Sequence, residues 1–104
     1  MMTSERFEAI LDAQLARCRQ VLVEKAKEYA TEDRLHNFRV AAVLQGCTEM
    51  QALAGMMAKH TVSVYDMARD GKPHPLALWE EKITDSINYL LLLRAMVDEL
   101  EVAK

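Results

Sequence analysis

From Leu76 to Val102 the chain contains neither glycine nor proline, and Trp79, Ile83, Leu90, Leu93, Val97 and Leu100, with Ser86 in step, form a sustained heptad stripe. Apolar residues at three- and four-residue intervals define one face of an α-helix, and no strand of that length carries such a period. Ile87, Leu91, Leu92 and Met96 widen the apolar zone almost to the full circumference around residues 90–93. A helix that is apolar all round has to be covered on more than one side. A chain of 104 residues supplies little material for that, so a homodimer or higher oligomer is expected.

The rest of the chain reads the same way. Three glycines and two prolines leave too few breaks for short strands, which need a turn every ~8–12 residues. A first helix is expected after Ser4 as N-cap, with Glu5 and Glu8 suiting the positive end of its dipole. Its stripe is Phe7, Leu11, Cys18, Leu22, Ala26 and Tyr29, ending near Thr31-Glu32-Asp33. A short helix over about 37–45, capped by Asn37 or Asp33, would turn Phe38, Ala41 and Leu44 inward and stop at Gly46. Thr48 and Gln51 form a capping-box pair, the clearest helix start in the chain. The third helix then carries Leu53, Met57, His60, Val64 and Met67, Gly71 ends it, and Lys72-Pro73-His74-Pro75 is a loop. The expectation is one all-α domain over residues 1–104, a bundle of three long helices and one short one.

Charge and motifs narrow the function. The net charge of −3 and the absence of a Lys/Arg cluster argue against duplex nucleic acid, which is bound through a basic footprint. The longest apolar runs, Tyr89 to Leu93 among them, are far short of the ~20 residues a membrane span needs. Met1 to Ile10 contain no apolar core of a signal peptide, so a cytoplasmic protein is expected. Cys18 and Cys47 lack metal spacing and are read as reduced thiols. No GxSxG, P-loop, HExxH or CxxC motif is present, which removes the common hydrolase, nucleoside-triphosphatase, zincin and redox readings.

Candidate chemistry sits mainly on the last helix. Glu81, Asp85 and Asn88 are spaced four and three apart and project together, as oxygen ligands for Mg²⁺ must. The alternative is a solvated polar face opposite the apolar stripe. Glu24, Glu28 and Glu32 are interleaved with Lys25 and Lys27, so mixed surface charge is the default there. In an antiparallel bundle, however, Glu28 would approach the start of the last helix and add a third carboxylate. His60 lies in the apolar stripe of the third helix and is either a core residue or a donor bordering a pocket. Lys59 beside it can meet a phosphate as a point charge. His36 and Asn37 serve either as binding groups or as caps.

The series Lys25-Ala26-Lys27-Glu28-Tyr29, Asn37-Phe38 with Ala41 and Ala42, Ala52-Leu53, Met56-Met57 with Lys59, then Glu81, Asp85 and Asn88-Tyr89 resembles phage- and prophage-type proteins related to the MazG-like all-α nucleoside triphosphate pyrophosphohydrolases. The resemblance spans roughly residues 20–98. It implies a helical bundle assembling as a homodimer or homotetramer. It also implies Mg²⁺-dependent cleavage of a (deoxy)nucleoside triphosphate to monophosphate and pyrophosphate. On that reading Glu28, Glu81 and Asp85 hold Mg²⁺, Lys59 and His60 serve catalysis, and His36, Asn37 and Asn88 orient the nucleotide-like ligand. The superfamily's EExxE helix is not reproduced, since residues 56–62 contain no acid, and Lys82 stands where ExxD has its Glu. That absence supports two rival readings: a non-catalytic nucleotide binder, or a purely structural interaction protein.

Overall fold

The computed structural model describes residues 1–28 and 31–102. Four helices follow one another: α1 (Ser4–Ala26), α2 (His36–Gln45), α3 (Glu49–Arg69) and α4 (Leu76–Val102), with no strand among the described residues. None of these helices is long and apolar enough to cross a membrane.

Most boundaries have visible chemical causes. Thr48 and Gln51 make the reciprocal capping box at the start of α3. Gly46 (φ 66°) and Gly71 (φ 70°) take the left-handed conformation that glycine adopts without steric cost, just past α2 and α3. Pro75 opens α4 by offering its carbonyl to the N–H groups of Leu78 and Trp79. The N-cap of α1 is Thr3 rather than Ser4, its hydroxyl accepting from the Arg6 N–H at 3.2 Å. Neither expected cap of α2 is used as such. Asp33 accepts from the Leu35 N–H at 3.0 Å, and the helix starts at His36 without a side-chain cap. α1 also ends earlier than its stripe suggested, and Tyr29 lies outside the described residues.

The core lies between α2, α3 and α4. Leu53, wholly buried, packs with Leu35, Phe38 and Met96, and Met57, Tyr89 and Leu92 close around them. Ala41, Ala42 and Ala52 line the contact of α2 with α3, where small side chains permit close approach of the helices. Leu44, expected inside, is 80% exposed. Arg39 clasps this half by holding Asp33, Glu49 at 2.9 Å and Glu99 at 2.9 Å, so one guanidinium ties the α1–α2 connection, the start of α3 and the end of α4.

α1 packs on α4 alone. It runs parallel to α4: Ile10 borders Leu76 and Trp79, the Gln14 amide donates to Thr84 Oγ at 2.8 Å, and Leu22 borders Leu91. The antiparallel arrangement expected from helix alternation is therefore not formed, because α2 carries the chain across before α3 and α4 make their antiparallel pair. Phe7 and Leu11, expected to face the core, are 56% and 43% exposed.

The largest departure concerns α4. Its buried column is Thr84, Asn88 and Met96, with Leu92 partly buried between them, while Leu90, Val97 and Leu100 of the heptad stripe are exposed. The helix turns two polar side chains inward and leaves leucines outside. Apolar residues all round leave such a helix without an intrinsic inward face, so the neighbours choose it.

Candidate functional site

Asn88 and Leu92 of that column line a cleft of about 90 Å³ to which all four helices contribute. α1 supplies Val21, Leu22 and Lys25; the next connection supplies Arg34; α2 supplies Asn37 and Phe38; α3 supplies Met56; and α4 supplies Asp85, Asn88, Tyr89 and Leu92. The cleft exists because α1 rests on α4 without reaching α2 or α3. Arg34 holds the mouth in shape by donating to the Leu22 carbonyl at 3.0 Å.

Asn88 is the anomaly of this site. Its side chain is 94% enclosed by area, and neither the amide nitrogen nor the amide oxygen has a hydrogen-bond partner among the described residues. Buried amides are nearly always satisfied, because an unmade hydrogen bond costs ~1–3 kcal/mol. Both polar atoms have almost no accessible surface, so a group offering the complementary donor–acceptor pair reaches them only once the cleft wall around Asn88 moves aside.

Asp85, one turn earlier, lies 3.8 Å from His60 Nδ1, with both side chains mostly shielded. The His60 ring also stacks on Tyr89 at 4.8 Å between centroids, and Phe38 meets Tyr89 edge-on at 6.4 Å. The histidine predicted in the α3 stripe is thus fixed behind the cleft wall, touching two residues that line it.

The sequence-predicted set divides. Asn37, Asp85 and Asn88 come together in the cleft, with His60 behind Asp85. His36, Lys59 and Glu81 are exposed and do not line it. Glu28 does not join Glu81 and Asp85: it lies in the turn beyond α1, its N–H bonded to the Lys25 carbonyl at 3.1 Å. Parallel packing causes this, since it carries the end of α1 away from the start of α4. Among the described residues no three His, Cys, Asp or Glu side chains are grouped as metal ligands. Asp85 is the one carboxylate lining the cleft, so a magnesium ion held by three protein carboxylates does not fit these positions.

Sequence reasoning missed the two cations of the cleft, Lys25 and Arg34. A signal for the first was present. Gln14, Cys18, Val21 and Lys25 follow four–three–four spacing, so Lys25 continues the register that faces α4, although its side chain is exposed at the end of the helix. Arg34 sits in a connection, where periodicity carries no information.

Comparison with known proteins adds no assignment: no family model, no curated protein and no solved structure matches the chain.

Proposed function

We propose that the protein binds a nucleotide-like small molecule in the cleft between α1 and α4. The observation that carries this reading is the buried, unpartnered amide of Asn88, flanked by Asp85, Asn37 and Lys25. Nucleobases present adjacent donors and acceptors along one edge, which an amide reads in two-point fashion. Lys25 supplies a mobile positive charge for a phosphate. A volume of about 90 Å³ corresponds to roughly three waters at ~30 Å³ each. The cleft thus takes one polar edge of such a ligand and leaves the remainder at its mouth. The resemblance of the Asn37, Asp85 and Asn88-Tyr89 segments to MazG-like proteins points to the same ligand class.

Titration calorimetry against ribo- and deoxynucleoside mono- and triphosphates, with and without Mg²⁺, tests the proposal. Saturable binding of at least one nucleotide is expected, with Asn88→Leu abolishing it. Failure of the whole panel to bind, or equal binding by the variant, overturns it.

A second reading, hydrolysis of the nucleotide to monophosphate and pyrophosphate, draws on the His60–Asp85 pair. Asp85 lines the cleft with His60 behind it, and a carboxylate beside a bound phosphate can act as general base toward water. Magnesium would then arrive with the substrate's phosphates, since Mg²⁺ is commonly held by one or two carboxylates together with phosphate oxygens and water. Pyrophosphate release that depends on Mg²⁺ and falls in both His60→Gln and Asp85→Asn supports it; its absence leaves binding as the function.

A further inference from the structure

The two polar atoms of Asn88 are shut off from solvent, so some wall of the cleft has to move before a ligand reaches them. Three of its sides, from α2, α3 and α4, belong to the core. Phe38, Met56, Tyr89 and Leu92 pack around Leu53 and Met96, and displacing any of them unpacks those three helices together. The fourth side is α1, through Val21, Leu22 and Lys25. This helix packs on α4 alone. Of its 23 residues only Cys18 is buried, whereas the ten residues of α2 include the buried Phe38, Ala41 and Ala42. The polar ties of α1 are few: the Gln14 amide on Thr84 Oγ at 2.8 Å, the partly exposed Arg17–Glu80 pair at 2.9 Å, and the Arg34 guanidinium on the Leu22 carbonyl at 3.0 Å. Elements held by so little buried surface open far more often than the whole protein unfolds.

We propose that α1 is the gate of the cleft: it lifts from α4 while α2, α3 and α4 stay packed, and the Asn88 amide is reached only in that open state. The motion rests on packing alone; its purpose rests on the ligand site proposed above. Lifting breaks the three ties and uncovers Cys18 with the apolar sides of Val21 and Leu22, and it leaves the contacts among Leu53, Phe38 and Met96 intact. Arg34 is the latch. It stands in the connection that follows α1 and reaches back to a carbonyl near the end of that helix, so it holds the stretch that walls the cleft. Gln14 and Thr84 hold the middle of the helix. Because only the open fraction admits a ligand, the gate sets the rate of entry. Cys18 is 1% exposed and lies outside the cleft lining, so its thiol reports the motion without touching the site.

The test needs no ligand. Cys47→Ser leaves Cys18 as the one thiol, and its alkylation by N-ethylmaleimide in native buffer is timed by mass spectrometry. Solvent exchange of the Asn88 side-chain NH protons is timed by NMR on the same protein. Opening of α1 predicts an alkylation rate nearly flat in low urea, since little surface is exposed in the opening. It predicts both rates within twofold of the parent when Leu53→Ala weakens the core. In Thr84→Val, which deprives Gln14 of its acceptor, both rates rise about fivefold. Alkylation that climbs with urea as steeply as unfolding itself, or more than tenfold in Leu53→Ala, means that Cys18 is reached by global unfolding and overturns the gate. Should Leu53→Ala not fold, the urea dependence of the parent decides. Alkylation unchanged in Thr84→Val overturns it as well. So does faster alkylation with the Asn88 protons at their old rate, because α1 then moves without uncovering the amide. A gate that passes these tests in a protein that binds no nucleotide overturns the ligand reading and leaves the motion intact.

Discussion

Replacing Asn88 with leucine should make the protein more stable. The side chain is 6% exposed and both its polar atoms lack partners, so the folded state carries a desolvated donor and acceptor that are solvated in the unfolded chain. Relieving one such group is worth ~1–3 kcal/mol. Leucine is close to asparagine in shape and packs beside Leu92 and Phe38, so ~2 kcal/mol is a moderate expectation after allowing for imperfect fit. Unfolding entropy of ~2.1 cal/mol/K per residue gives about 220 cal/mol/K for a chain of this length, so the melting temperature should rise by about 9 °C. Scanning calorimetry of both forms at matched protein concentration measures this, because association also shifts the transition. Nucleotide at ~100 times its Kd should add ~2.7 kcal/mol to the wild type and nothing to Asn88→Leu. A variant less stable than the wild type would refute the reasoning, because the amide would then be hydrogen-bonded in the native protein.

Four further outcomes follow from the same structure. Leu53→Ala removes a wholly buried side chain and should cost ~2–5 kcal/mol in denaturant titrations. Arg39→Met breaks contacts to Asp33, Glu49 and Glu99 at once. These groups are partly exposed and screened by solvent, so the total loss should be ~1–2 kcal/mol and should shrink with added salt. The Arg39 guanidinium and the Leu35 N–H hold the Asp33 carboxyl below its usual range. A carboxyl depressed in the folded state stabilises above its unfolded value, near 3.8, and this contribution is lost as pH falls through the folded value. Acid titration of Arg39→Met should therefore show a shallower loss of stability below about pH 4 than the wild type. Thr84→Val deprives the Gln14 amide of its acceptor between α1 and α4; a loss of ~1 kcal/mol is expected, with hydrogen exchange rising in α1 ahead of α3.

The elements were legible because their ends are written in local chemistry: the Thr48–Gln51 box, Gly46, Gly71 and the Pro73–Pro75 loop all act within a few residues of themselves. The orientation of α4 was not. With apolar residues around its circumference, counting gave the heptad of Ile83, Leu90 and Val97, whereas packing against α1 and α3 selected the column containing Thr84 and Asn88. The Glu28–Glu81–Asp85 constellation failed for a related reason. It presumed a direction for α1 that depends on how α2 crosses the bundle, and no residue of α1 encodes that. Asp85 and Asn88 stood out because polar residues at helical spacing are visible from the chain, and they line one cleft with Asn37. Arg34 was not, since a residue in a connection joins a site only through tertiary structure.

The central claim is that the Asn88 amide waits for a ligand, and its own NMR signals report on that most directly. The two side-chain NH protons of Asn88, assigned by their loss in Asn88→Leu, are followed while the nucleotide found by calorimetry is titrated into labelled wild-type protein. The prediction is a saturable downfield shift of at least one of them, tracking the calorimetric isotherm, as expected when a free donor acquires an acceptor. Saturation of the isotherm with the Asn88 protons unmoved would contradict it.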